Sequence, residues 1–214
     1  MQHAFAAWMD EENPHTPFEF YADDIVVHCK TLREAETLRQ AIAERLKLCK
    51  LELHPEKTKI VYCKDDNRRG SQEHEQFDFL GFRFRPRTAL NKRTGQRFLC
   101  FLPAISPKAS KAIREMVRSW TLSRYSDRSL EKIALDINAK VRGWKNYYGR
   151  FYPSALVPTW WSIESHLISW VRQKYKKLRA FTKARMWLKA IASRQPELMA
   201  HWPKTQPRRV LGAV

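Results

Sequence analysis

Charge divides this chain in two. Residues 1–100 carry 17 Lys and Arg against 16 Asp and Glu, whereas residues 101–214 carry 23 against 6. Seven of the eight tryptophans also fall in the second part, leaving only Trp8 in the first. A folded segment with a net charge of +17 repels itself unless a polyanion neutralises it. Trp, Tyr and Arg interleaved with Lys are also the side chains that stack on bases and reach phosphates. The second part is therefore expected to bind nucleic acid over a core that holds most of its tryptophans. A basic membrane-surface helix would concentrate its charge on one amphipathic element. Here the charge alternates with aromatics over several, so no membrane partner is expected.

The composition sets further limits. With 43% hydrophobic and 12% aromatic residues among 214, the chain can bury a core, which excludes wholesale disorder. No apolar run approaches the 18 or so residues of a membrane span. Residues 1–10 lack the basic and apolar regions of a secretory signal. Cys29, Cys49, Cys63 and Cys100 are far apart and form no C-x-x-C pair. That argues against a zinc ribbon or a disulfide scaffold and for reduced thiols in a cytoplasmic protein. His28, His54, His74, His166 and His201 show no ligand spacing.

Local patterns place the elements. Residues 2–9 read as a short helical lead-in, stopped by the polar stretch 10–16. Phe18-Glu19-Phe20-Tyr21 alternates and reads as a strand, and Ile25-Val26-Val27-His28-Cys29 is a second, β-branched one. Only Ala22, Asp23 and Asp24 separate them, which predicts a β-hairpin with two carboxylates at its tip. Thr31 with Glu34 forms a capping box for a helix over about 32–49, broken by Leu53-His54-Pro55. Residues 59–63 read as a strand. So do residues 77–84, with 97–102 as hairpin partner across 91–95. Ser106-Pro107 opens a helix to about 121. Further helices are expected over about 130–148, 158–179 and 180–194. The tail 203–214 is basic and is expected to be mobile.

Adjacent carboxylates repel each other in a turn, and a divalent cation removes that cost; Mg²⁺ favours carboxylate and phosphate oxygens. Two such metals can clamp the attacking and leaving oxygens of a phosphoryl transfer. An Asp-Asp pair by itself is also the composition of a solvated turn. The order aromatic strand, Tyr-Ala-Asp-Asp, β-branched strand, helix is more specific.

Phe20-Tyr21-Ala22-Asp23-Asp24-Ile25-Val26-Val27 resembles the polymerase palm motif of reverse transcriptases, in the form found in group II intron-encoded proteins. Leu53-His54-Pro55-Glu56-Lys57-Thr58-Lys59 resembles the next palm motif. Phe77-Asp78-Phe79-Leu80-Gly81-Phe82 resembles the palm–thumb junction that grips the primer, with Phe79, Leu80, Gly81 and Phe82 as its grip residues. Asn138-Ala139-Lys140-Val141-Arg142-Gly143-Trp144-Lys145-Asn146-Tyr147-Tyr148 resembles the core of the maturase domain, where intron RNA is bound. The four segments follow the family order.

The resemblance implies an α+β fold. A truncated reverse-transcriptase palm, an antiparallel sheet plus a helix, would occupy about 1–103. An all-helical thumb and maturase region would occupy about 104–202, with the basic tail at 203–214. The implied activity is RNA-directed DNA synthesis by two-Mg²⁺ nucleotidyl transfer, together with assistance to intron splicing. Asp23 and Asp24 would be metal ligands. Lys57 and Lys59 are catalytic candidates, because a lysine in the family's corresponding motif protonates the leaving pyrophosphate; both also read as surface lysines at a strand entrance. Gly81 reads as a bulge, a strand bend or a point of close approach to a nucleic-acid chain. RNA contacts are expected from Arg142, Trp144, Lys145, Asn146, Tyr147 and Arg150. Of these, Lys145 and Arg150 suit phosphates and Asn146 a base edge, while Trp144 with Tyr148 also suits a core position. The implied partners are group II intron RNA and an RNA/DNA hybrid.

One departure from the family qualifies this. Family members begin with a fingers region and a first palm motif that supplies another metal-binding Asp. Only 22 residues precede Asp23, and Asp10 lies in a polar segment. Two expectations stay open. In one, a separate fingers polypeptide completes the enzyme and the isolated chain is inactive. In the other, the chain is a non-catalytic RNA-binding splicing factor or relic with an idle Asp pair. No Cys or His cluster follows residue 202, so DNA cleavage is not expected.

Overall fold

The computed structural model describes residues 5–68 and 70–202; the expected tail over 203–214 lies outside them. The fold is α+β and divides into two compact units. One holds the chain up to Phe79 together with Arg85–Phe101. The other holds Leu80–Phe84 and the chain from Leu102 onward. Sequence patterning puts the boundary near residue 103, but the segment Leu80–Phe84 belongs with the helices. No helix among the described residues is long and apolar enough to cross a membrane. All four cysteines are free.

In the first unit, α1 (Ala7–Glu12) precedes an antiparallel hairpin of β1 (Phe18–Tyr21) and β2 (Asp24–Val27). Phe18 faces Val27 and Phe20 faces Ile25, so these four share one face. Phe18, Ile25 and Val27 pack on a core of Phe5, Met9, Leu38, Ile42 and Leu46. The last three come from α2 (Leu32–Leu48) at helical spacing. Thr31 caps α2 by accepting the Glu34 amide at 3.1 Å, and the Glu34 carboxylate accepts the Lys30 amide at 2.7 Å.

Pro55 does not end this helix. The Lys50 amide donates to Lys47 and the Leu51 amide to Leu46, while Lys50 takes a φ of 59°. This is a Schellman ending with lysine where glycine is usual. The strand expected over 59–63 is absent as well: that segment finds no ladder partner, and the Tyr62 amide donates to the His74 carbonyl at 2.8 Å instead.

β3 (Phe77–Phe79), β4 (Phe82–Leu90) and β5 (Arg97–Ile105) form one sheet in that order. The expected hairpin across 91–95 is present. Asn91 Oδ1 closes it by accepting the amides of Arg93 and Thr94 at 3.0 and 3.3 Å. The single strand expected over 77–84 is broken at Leu80-Gly81 into β3 and β4.

The second unit packs α3 (Pro107–Ser119), α4 (Leu130–Tyr148), α5 (Val157–Lys174) and α6 (Phe181–Arg194). Ser106 and Ser129 cap α3 and α4 by accepting the amides of Ala109 and Lys132. Ile163, Leu167, Trp170 and Val171 of α5 are fully buried, which makes α5 the centre of the core. The chain after α6 returns to α5. Met199 and Trp202 enter the core, and Glu164 Oε2 receives the Trp202 indole N–H and lies 3.2 Å from His201 Nε2. Burial pushes the Glu164 carboxyl up. The hydrogen bonds from His201 and Trp202, with the charges of His201 and Arg185, outweigh it and hold the carboxyl below its ordinary value.

Two expectations follow. Lys50→Gly removes an L-residue from the left-handed region and should stabilise the chain by about 1 kcal/mol in urea unfolding, whereas Lys50→Ala should give no gain. Glu164 titrates lower when folded than when unfolded. Its contribution is therefore complete above the ordinary carboxylate range and is lost as pH falls through and below that range. In thermal unfolding followed against pH, Glu164→Gln should lower stability at pH 7 and flatten the acid limb.

Candidate functional site

The Asp-Asp pair sits where the hairpin turns. Tyr21 pairs with Asp24, so Ala22 and Asp23 form a two-residue loop. Ala22 takes a φ of 56°, in the left-handed region. Such a conformation costs an alanine roughly 1–2 kcal/mol and is held by the strand pairing on both sides. Asp24 lies with Tyr21 and Glu19 on the face opposite Phe18 and Phe20. Tyr21, Asp23 and Asp24 are all exposed, so both carboxylates are open to a ligand.

Their donor set suits Mg²⁺: two hard oxygen ligands, with the rest of the shell left to water and phosphate. Among the described residues no group of three His, Cys, Asp or Glu could hold a metal. The described residues thus offer an open pair of carboxylates and no closed cage. Lys57 and Lys59 are exposed, on either side of Thr58, whose amide closes a turn to His54. They flank a turn and not the strand entrance expected of them.

The second unit builds a different arrangement around Leu80-Gly81. Both residues have positive φ, 48° and 78°, the pattern of a type I′ hairpin turn. A leucine in that region is strained, and the surroundings hold it. The Leu80 carbonyl accepts the Tyr147 hydroxyl at 2.8 Å, and the Gly81 carbonyl accepts the Ser106 amide at 2.9 Å. A Cβ on Gly81 would lie 2.9 Å from the Tyr148 hydroxyl oxygen. Glycine is therefore required twice over, by conformation and by space. Phe82 is buried in an aromatic cage, with ring centroids 5.0 Å from Tyr147, 5.3 Å from Tyr148 and 5.8 Å from Phe151. Burial, and then the neighbouring Tyr147, raises the Tyr148 phenol above its ordinary value. Phe79 closes β3 just before the turn, and Leu80 keeps its side chain partly exposed.

The six residues expected to touch RNA divide sharply. Lys145 donates its ammonium to the Ala200 carbonyl at 2.7 Å. Asn138 holds the same returning segment, donating to the Leu198 carbonyl and accepting the Ala200 amide, each at 2.8 Å. Trp144 stacks on Trp120 with centroids 5.8 Å apart and planes 9° from parallel. The Tyr147 hydroxyl is committed to the turn, while its ring stays about half exposed, at 48%. Arg142, Asn146 and Arg150 remain exposed.

Gly143 lies between them on the exposed side of α4, and among the described residues a Cβ there would meet no atom within 4 Å. A mid-helix glycine costs about 0.5–1 kcal/mol against alanine, and here no packing requires it. It leaves the helix backbone open to close approach. The sequence reading missed Ser106, Phe151 and Asn138 as organisers. For Ser106 and Asn138 the only signals were a helix cap and membership of a motif.

Residues 1–84 match the family model described as reverse transcriptase (RNA-dependent DNA polymerase). Residues 110–188 match the one described as group II intron, maturase-specific domain. No curated protein and no solved structure matches the chain.

The clamp on the Leu80-Gly81 turn is testable. Tyr147→Phe should cost about 0.5–1.5 kcal/mol in chemical denaturation, the worth of one hydrogen bond. Gly81→Ala should cost more, because the left-handed penalty of about 1–2 kcal/mol adds to displacement of Tyr148. An unchanged midpoint in either variant would show that the turn is not held this way.

Proposed function

Because the chain belongs to the group II intron reverse transcriptase and maturase family, we propose that its helical unit binds intron RNA and that its hairpin contributes Asp23 and Asp24 to a polymerase metal site. The observation that carries the reading is the order of the two matched segments, reverse transcriptase then maturase-specific domain, on a chain whose cations concentrate in the second. Two Mg²⁺ ions at such a site would stabilise charge on the attacking and leaving oxygens of nucleotidyl transfer. The chain's own part is to hold two carboxylates outward on a strained, strand-locked turn. The Leu80-Gly81 turn, fixed at both carbonyls, is the primer-grip element in this reading, and an RNA/DNA hybrid is its ligand. Lys57 and Lys59 are the candidate acids for the leaving group.

A second reading is favoured by one observation. Among the described residues Asp23 and Asp24 have no third carboxylate with which to hold a metal. Two-metal catalysis then requires ligands from outside the described residues, and RNA binding requires none. Splicing assistance through RNA binding can accordingly proceed with the polymerase site incomplete. Primer extension on an RNA template with Mg²⁺ separates the two, run with the chain alone and with a supplied fingers and first-palm polypeptide. Incorporation only in the mixture, abolished by Asp24→Asn, supports a completed enzyme. No incorporation in either, with RNA binding intact, supports the splicing factor.

RNA affinity should fall linearly as log Kd against log salt, with a slope near 0.7–0.9 per phosphate contacted. Arg142→Ala with Arg150→Ala should lower both affinity and slope. Asn146→Ala should narrow the discrimination between RNAs and leave the slope unchanged. Gly143→Ala should act in opposite directions, raising stability by about 0.5–1 kcal/mol while weakening RNA binding. Filter binding at several salt concentrations, with thermal unfolding of the same variants, checks all of these.

A further inference from the structure

The helical unit contains a cleft of about 360 Å³ between the end of α3, the short 3₁₀ turn at Leu122–Arg124 and the first half of α4. None of the residues expected from sequence to touch RNA lines it. Its floor is Leu122, Ile133 and Ile137; its aromatic walls are Trp120 and Tyr125; its rim is Arg128, Asp136 and Lys140. We propose that this cleft receives a single unstacked nucleotide of bound RNA. The base would lie against Trp120, its edge would meet the Arg128–Asp136 pair, and its phosphate would meet Lys140. The proposal rests on the RNA-binding reading and names a site within it.

Five observations carry it. The volume lies within the range of pockets that take small ligands, about 300–1,000 Å³. Its lining combines what reads a splayed-out base: an aromatic face to stack on, an apolar floor, and a donor and an acceptor side by side for the base edge. Trp144 stacks on Trp120, with ring centroids 5.8 Å apart and planes 9° from parallel, which braces that aromatic lining residue.

The cleft is also preformed. The 125–128 loop is tied to α5 by the Trp170 indole N–H on the Tyr125 carbonyl at 2.8 Å, and by the Lys174 ammonium on the carbonyls of Ser126 and Arg128 at 2.8 and 2.9 Å. Arg128 is held flat, its guanidinium 4.0 Å from the Tyr125 ring centroid and bonded to Asp136 at 2.7 Å. Lys132 approaches the other Asp136 oxygen at 3.5 Å. A wall ordered before binding leaves little ordering cost at binding. Arg128 and Lys140 at the rim match an anionic backbone, and the single carboxylate, Asp136, is paired with Arg128 and with Lys132 just outside the cleft, so it does not repel phosphate.

The test uses the whole chain and two RNAs of equal length, one fully paired and one with an unpaired bulged nucleotide, compared by filter binding at fixed salt. The bulged RNA should bind more tightly. Trp120→Ala should remove that preference, a loss of about five- to a hundred-fold for the bulged RNA, with little change for the duplex. Lys140→Ala should weaken the bulged RNA more than the duplex. Trp120→Ala also opens space beside the core, so wild-type chain with 4-thiouridine at the bulge provides a second measurement: photo-crosslinks should map to Trp120 or Tyr125. Equal affinity for both RNAs, or crosslinks only outside the cleft, overturns the proposal and leaves RNA binding standing. Absence of binding to either RNA overturns the RNA-binding reading itself.

Discussion

The division of α4 between its faces decides what the helical unit can offer a ligand. Leu130, Ile133, Ala134, Ile137 and Val141 face the core. Asn138 and Lys145, seven residues apart, lie along the same side and hold the segment around Ala200 by three hydrogen bonds. At the last turn Tyr147 and Tyr148 take up Leu80, Gly81 and Phe82. A helix of this length is not stable by propensity alone and depends on such packing. Opposite these committed positions, Arg142 and Asn146 are exposed, with Gly143 beside them. A buried or partly buried ammonium that already satisfies a carbonyl would leave that carbonyl unpaired if it moved to a phosphate. Lys145 therefore positions the returning segment, while Arg142 and Arg150 stay exposed and are the arginines the proposed function assigns to an RNA backbone.

Among the described residues four non-glycines take positive φ: Lys50 ends α2, while Ala22, Leu80 and Thr121 lie in turns. Ala22 presents the carboxylates, Leu80 forms the clamped turn, and Thr121 leads into the wall of the cleft. Each persists because neighbouring bonds fix it: strand pairing around Ala22, the Tyr147 hydroxyl on Leu80, and the 3₁₀ turn after Thr121, where the Arg124 amide returns to the Thr121 carbonyl. Strain held in this way marks positions where geometry is over-determined by its surroundings.

Much of this was legible in sequence, for physical reasons that differ by element. The hairpin could be read because two strongly patterned runs are separated by too few residues for any other connection. The helix starts at Thr31, Ser106 and Ser129 could be read because an N-cap is a local interaction. The strand over 59–63 was misread because strand formation requires a ladder partner, which residue pattern alone does not supply. The break at Leu80-Gly81 was hidden because aromatic alternation continues through it, and the turn is stabilised by Tyr147 and Ser106, more than 20 residues away. The different settings of Lys145 and Arg142 were hidden for the same cause: the two look alike in sequence, and the returning segment near Ala200, which takes the Lys145 ammonium and leaves Arg142 exposed, distinguishes them.

The acids of the helical unit complete the argument about its ligand. Of the six after residue 100, Asp136 serves both Arg128 and Lys132, and Glu115 approaches Lys111 at 3.9 Å. Glu164 is bound to His201 and Trp202. Glu131 lies in the first turn of α4, where a backbone N–H and the Ser129 hydroxyl hold its carboxyl below the ordinary value. These carboxylates serve packing, capping and the cleft rim, and they are too few to neutralise 23 cations. Exposed ion pairs of this kind contribute little in any case. Mobile ions screen the remaining repulsion in the free unit, and phosphates displace those ions when RNA binds. Salt therefore pulls in two directions, easing self-repulsion in the free unit and competing with RNA for the same cations. The bound polyanion is the stronger counter-ion, and any affinity it has for the folded unit over the unfolded chain adds directly to stability.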